Sequence, residues 1–166
     1  MKALTVCCLI AALAASGCGT AGERYQRAEI HVVRGELCFS IDPSASRNQA
    51  APLLSNVRVD QRIDGIARNI WEADFLEREP PYDLEAGECI PYSNGVPDPA
   101  PALGPGEAYS VTILADVKAN GRYTARWYTA HFCIVESVQG LVPHQVESGG
   151  RSDASGWAEC VPSVRW

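Results

Sequence analysis

Leu103-Gly104-Pro105-Gly106-Glu107-Ala108-Tyr109-Ser110-Val111-Thr112-Ile113 is the stretch on which the rest of the chain turns. Pro105 fixes its own φ and has no N–H, and Gly106 is free to take the positive φ of a tight corner. Beyond the corner, Tyr109, Val111, Ile113, Ala115 and Val117 alternate with Ser110, Thr112, Leu114 and Asp116. That period of two predicts a strand with Tyr109 on its buried face. Ala119-Asn120-Gly121 predicts a hairpin turn, and Arg122 to Val135 returns as a long strand carrying Tyr123, Trp127, Tyr128 and Phe132.

Working outward, Ala28 to Val33 and Glu36 to Ile41 read as strands joined by a turn at Arg34-Gly35, the second stopped by Asp42-Pro43. Arg47 to Leu54 reads as irregular. Asn56 to Arg62 alternates, with Val57 and Val59 on one face and Arg58, Asp60 and Arg62 on the other. Asn69 to Phe75 sets Ile70 against Trp71, Ala73 and Phe75. A short helix also fits there, and the strand is preferred. Pro80-Pro81 breaks the chain. Glu88 to Tyr92 is a short strand whose Pro91 suits an edge. Ser93 to Glu107, with Pro97, Pro99, Pro101 and Pro105, is a stiff loop. Gly140 to Gly156 is polar and loop-like, and Trp157 to Val161 adds a last short strand pinned by Cys160.

About seven short strands without a clear helix predict an all-β sandwich or barrel. The Leu103–Ile113 stretch resembles the L-x-P-G-x-x-Y-x-V-x-V segment of fibronectin-type and immunoglobulin-like domains. The resemblance implies an immunoglobulin/fibronectin-like β-sandwich in which the Tyr109 hydroxyl bonds back to the backbone at the corner.

The 166 residues are 46% hydrophobic and 20% charged, enough apolar material for a packed core. Fourteen Lys and Arg face twenty Asp and Glu, a net charge of −6. No basic run stands out. That argues against nucleic acid, and against an anionic membrane face, as the main partner.

Lys2 precedes an apolar run from Ala3 to Ala15 that is too short to span a bilayer as a helix. It ends in Ala15-Ser16-Gly17-Cys18, which resembles a bacterial lipobox. The expectation is a signal peptide over residues 1–17, a lipid on Cys18, and a polar tether over 18–27. Gly19 in place of Asp favours the outer membrane, with the protein facing the periplasm. The sandwich is expected over 28–136, and a loop-rich extension packed on it over 137–166.

Cys7 and Cys8 leave with the leader. Cys38, Cys89, Cys133 and Cys160 remain, an even number in an oxidising compartment. Three pairings are open. Neighbouring strands B and E of the sandwich favour Cys38–Cys89, which leaves Cys133–Cys160. No C-x2-4-C or H-x3-5-H pair offers a zinc site, so no metal is expected.

The chain carries no Gly-rich phosphate loop and no H-E-x-x-H. Gly150-Arg151-Ser152-Asp153-Ala154 fails the G-x-S-x-G elbow at its last position. His31, His131 and His144 are isolated along the chain. No catalytic residue, cofactor or small-molecule substrate is expected, and the protein reads as a binder. Glu72, Asp74, Glu77 and Glu79 form the densest acidic cluster, with Asp83, Glu85 and Glu88 close behind. It reads first as a solvated edge. As a binding surface it would steer a basic partner, with Tyr82 and Tyr92 as aromatic anchors.

Together the lipobox, Cys38-Phe39-Ser40, Cys89-Ile90-Pro91 and the Tyr109-x-Val111-x-Ile113 strand resemble the family of small periplasmic lipoproteins assigned as type VI secretion immunity proteins. The resemblance runs from about Glu29 to Cys133, and departs in the Cys133/Cys160 pair and the tail after Gln139. It implies an anchored protein that binds and blocks a toxin delivered into the periplasm, and it carries over no contact residues. A lipoprotein inhibitor of a lysozyme-like hydrolase and a structural or assembly lipoprotein of the envelope are the rival readings.

Overall fold

The computed structural model describes residues 24–42, 51–64, 66–96, 98–119, 121–138, 140–146 and 160. Residues 1–17 and Cys18 lie outside them, as does the expected strand Trp157–Val161 apart from Cys160. Eight strands follow in chain order: β1 Tyr25–Val33, β2 Glu36–Ile41, β3 Leu53–Ile63, β4 Ile66–Asp74, β5 Ile90–Pro91, β6 Ala108–Ala119, β7 Arg122–Ser137 and β8 Gly140–Val146. They join in the order β4-β3-β6-β7-β1-β2-β5, with β8 also paired to β7.

The path closes over itself into a sandwich. Phe39 of β2 lies 6.0 Å from the ring of Trp71 in β4 and 6.2 Å from Phe132 in β7, although these strands are far from β2 along the path. Trp71, Tyr109, Tyr128, Phe39 and Phe132 are fully buried between the layers. Burying each such side chain stabilises the fold by roughly 1.5–3 kcal/mol.

β1 joins the layers. Its first residues, Tyr25 to Arg27, run parallel to Trp127–Thr129 of β7, and Ala28 to Val33 then pair antiparallel with β2. Where β1 leaves, β8 takes over the vacated edge of β7 from His131 to Ser137. The Gln145 side chain of β8 spans the gap. It accepts from the Ile30 N–H at 3.0 Å and donates to the Ala28 carbonyl at 2.9 Å, standing in for the lost ladder bonds.

The corner forms as expected. Gly106 has φ of 77°, and the buried Tyr109 hydroxyl accepts from the Gly104 N–H at 2.7 Å while donating to Glu107. Burial pushes the Tyr109 phenol well above its usual range, and the Glu107 carboxylate adds to the shift. Arg34 and Gly35 both take positive φ, the two-residue turn whose twist suits a hairpin. Both disulfides match the favoured pairing. Cys38–Cys89 ties β2 to the chain entering β5, with Cα atoms 5.1 Å apart, and Cys133–Cys160 ties the tail to β7, at 5.7 Å.

Three expectations are corrected. β1 starts at Tyr25, so residues 25–27 of the expected tether belong to the sheet, held by the stack of Tyr25 on Trp127. β3 starts at Leu53, inside the stretch read as irregular. Gly140–Val146 is a strand and not a loop, because β7 runs to Ser137 and offers it an open edge. Pro143 is tolerated there, as edge strands tolerate proline.

Candidate functional site

The pairing registers sort the turns into two ends. β1 runs parallel to β7, and Arg62, Ala108 and Cys133 lie level across β3, β6 and β7. The β1–β2, β3–β4 and β7–β8 turns therefore share one end. The β6–β7 turn and the start of β1 point to the other.

The first end carries exposed apolar side chains on its turns, beside the charged Arg34, Glu36, Arg62, Asp64 and Glu136. Val32 and Val33 flank the β1–β2 turn, Ile63 and Ile66 the β3–β4 turn, and Val138 and Leu141 the β7–β8 turn, and all six are exposed. Ile66 is 72% exposed and Leu141 55%. Between the β1–β2 and β7–β8 hairpins the mouth of the sandwich opens as a cleft of about 270 Å³. Leu37, Leu103, Ile134, Leu141 and Pro143 line it, with the ring of Tyr92 at its floor. None of its lining residues is charged. Single exposed apolar side chains are ordinary, but six on three tips at one end, with Val32 and Leu141 lining the mouth, make this end the candidate docking surface among the described residues.

The proline-rich loop builds one wall. The Tyr92 hydroxyl donates to the Pro101 carbonyl at 3.0 Å, which holds Ala100 to Leu103 over the opening. Burial raises the Tyr92 phenol to about 12. Gly95 allows the same loop to lie against β4. A Cβ there would stand 2.3 Å from Cε2 of Trp71, and Glu72 and Val96 exchange backbone hydrogen bonds beside it.

The acidic cluster lies away from this mouth. Glu72 and Asp74 sit on the outer face of β4. The first accepts from the Asn56 amide at 2.7 Å, and the second caps the Leu76 N–H at 2.9 Å. Glu77 and Glu79 are exposed in the loop after β4, at the opposite end. That loop returns to pair Asp83 with Leu53, and Leu53 is level with Asp116 on β6.

Neither tyrosine is an exposed anchor. Tyr92 is 8% exposed and packs edge-on against Phe39. Tyr82 packs on Phe75 at 5.3 Å with Arg78 over both rings, and its hydroxyl donates to Glu88 at 2.6 Å. Burial and then that carboxylate raise it to about 12. Aromatic side chains in a small sandwich are needed for its core, and these two are used there.

His31 bonds Ser40 Oγ at 2.7 Å, and His131 is held below its usual pKa by burial and then by Arg62. Among the described residues no group of three or more His, Cys, Asp and Glu is placed to hold a metal ion. The sequence reading missed the six tip residues. The signal available was a β-branched or leucine residue immediately beside a Gly-containing turn, where a polar residue is usual.

No protein-family model matches the chain, and no curated protein or solved structure matches it significantly.

Proposed function

We propose that this protein is a periplasmic lipoprotein of the outer membrane that binds and neutralises a toxin delivered by type VI secretion, and that it does so with the apolar end. The observation that carries the binding reading is the set of six exposed apolar side chains on three hairpin tips at one end, two of which, Val32 and Leu141, line an uncharged cleft. The lipobox ending at Cys18 and the family resemblance support the compartment and the kind of partner. The end faces away from the start of β1, so a tether at the amino terminus leaves it open to an incoming protein. Binding alone accounts for the protection, with no turnover. The acidic residues from Glu72 to Glu88 then act at a distance, through the field that steers a basic partner.

The test is capture of the partner from cells that fire the toxin, with wild type and the pair Val138→Asp and Leu141→Asp. Both side chains are exposed, so the variant keeps the wild-type unfolding curve. We expect it to bind at least about tenfold more weakly, the loss of one central apolar contact. It should also fail to protect a deletion strain against a toxin-bearing sibling. Protection by the variant equal to wild type moves the site off this end. A deletion strain that competes as well as its parent ends the immunity reading. Tight capture of a lysozyme-like hydrolase by the same end then favours the inhibitor role.

A further inference from the structure

Gln145 does for β1 what a neighbouring strand would do. Its amide takes the Ile30 N–H and the Ala28 carbonyl, at 3.0 and 2.9 Å, on the edge of β1 that faces β8. A strand turns the N–H and C=O of every second residue to the same side, so the next position on that edge is Val32. The β1–β2 hairpin agrees. Val33 and Glu36 close its two-residue turn as a hydrogen-bonded pair, which leaves Val32, opposite Leu37, turned away from β2. Among the described residues no backbone pairs with Val32 on that side. β8 shares no ladder with it. The Ile134 carbonyl accepts from the Gly106 N–H on the β6 side of β7, so Cys133 and Val135 bond β8 through His144 and Val142. Leu141 and Pro143 therefore turn their backbone toward β1, and Pro143 has no N–H to give. Beyond the Gln145 clamp the two edges face each other across the cleft without a bond between them. Gln145 and Pro143 blunt the rest of this seam, and Val32 is left open on it.

We propose that an extended segment of the partner protein adds to this edge as a further strand, bonding the N–H and C=O of Val32 and laying the side chains of one face into the cleft. In an added strand every second side chain faces inward, beside Val32 and Leu37 and toward Leu103, Ile134 and Leu141. The cleft measures about 270 Å³ and no charged residue lines it, so the inward side chains are apolar. Arg34, Glu36 and Glu136 stand exposed at the rim, where the outward positions of the segment are free to be polar. The main-chain bonds give hold whatever the sequence, and the cleft selects among sequences. A helix does not fit this description, because its backbone groups are already bonded to one another and none is left for Val32. The segment is short, since Gln145 closes the edge at Ile30 and the turn ends it after Val33. The inference rests on the reading of this end as the binding surface, and it names the part of the partner that enters it.

The experiment selects peptides on the full protein from a phage library of random heptapeptides and follows the Val32 amide by hydrogen exchange. In the free protein that amide should exchange at least about tenfold faster than the ladder amide of His31. We expect the enriched peptides to carry an apolar residue at every second position. Bound with its ends blocked, such a peptide should slow exchange at Val32 by at least about tenfold. Of the two sets of alternate peptide nitrogens, methylation of one should weaken binding about tenfold, and methylation of the other should not. Val32→Pro removes the same bond from the protein's side and leaves the β2 ladder intact, so it should weaken binding equally. The methylated peptides carry the test if that variant does not fold. A Val32 amide already as slow as His31 in the free protein overturns the proposal. So does a selection that enriches nothing, or peptides without that alternation, or protection on the edge of β4 instead. Protection of Val32 that grows with protein concentration in the absence of peptide assigns the edge to a second copy of the chain, and also overturns it. The toxin reading fails separately, since a deletion strain that competes as well as its parent leaves all these outcomes unchanged. A captured partner that Val32→Pro binds as wild type does, and that Val138→Asp with Leu141→Asp does not, keeps the end as the site and removes the added strand.

Discussion

Replacing Tyr109 by Phe removes one oxygen atom and tests the corner on which the fold was read. The ring is 2% exposed and stacks on Phe132 at 5.4 Å, and phenylalanine keeps that contact. The loss is confined to the hydroxyl. The Gly104 N–H, bonded at 2.7 Å, is left without its acceptor in a partly buried corner. Such an orphaned donor costs about 1–3 kcal/mol, whereas the Glu107 carboxylate is exposed and regains water. A loss of about 2 kcal/mol follows, which lowers Tm by roughly 6–8 °C for a domain of this size. Urea unfolding with the disulfides intact measures it, and the m-value should not change, because the buried surface is the same. The same substitution alters the alkaline limb. Tyr92, Tyr82 and Tyr109 hold their protons more tightly when folded than the ordinary value of 10. Above pH 10 the unfolded chain loses protons that the folded chain keeps. Stability is therefore intact below that pH and falls as pH rises toward about 12 and beyond, by up to about 1.4 kcal/mol per unit for each buried phenol. Tyr109→Phe should remove one such phenol and make the fall shallower. A cost under about 0.5 kcal/mol, with an unchanged alkaline slope, would refute the corner as a stabilising device.

Gly95→Ala should destabilise the protein by about 2–4 kcal/mol, since its Cβ meets Trp71 and the Glu72 carbonyl and the Glu72–Val96 bonds must part. A drop in melting temperature together with changed near-ultraviolet dichroism of the indole is the expected sign, and wild-type values for both would show that the loop yields freely. Cys38→Ser with Cys89→Ser should cost about 4 kcal/mol and Cys133→Ser with Cys160→Ser about 3.5 kcal/mol, from loops of 51 and 27 residues. Denaturant midpoints of the two double variants in parallel check the order, and a larger loss from the second pair contradicts the loop-length account.

The strands whose faces differ in polarity were legible in the chain. β6 and the Val57–Val59 part of β3 alternate cleanly, and the Trp71-x-Ala73-x-Phe75 face outweighed the acids around it. β8 was not legible, because Pro143 and the polar residues near it hide a strand that exists only where β7 outruns β1. The start of β1 was hidden for a similar reason. Tyr25 to Arg27 is polar at both ends and is held by Trp127, a hundred residues later in the chain. Of the candidate site, the acidic residues were found as residues but not as a site. Tyr82 and Tyr92 were placed on the surface because nothing in local sequence says which aromatic rings a small core consumes. The apolar tips needed the register. Only the pairing of β3, β6 and β7 shows that three separate turns meet at one end.

The two hydrogen bonds of the Gln145 amide, one to Ala28 and one from Ile30, link positions 117 and 115 residues apart. They set an order of events for a chain that leaves the ribosome amino end first. β1 can form its hairpin with β2 at once, but its parallel partner in β7 and its clamp in β8 arrive last. Until then the edge of β1 stays open and the first strand has no fixed place between the layers. Contacts this distant in sequence close slowly, because the intervening loop must be ordered before they repay it. Maturation of the domain therefore waits on residue 145, so a chain stalled before β8 exposes an unpaired strand to proteases and to its own kind.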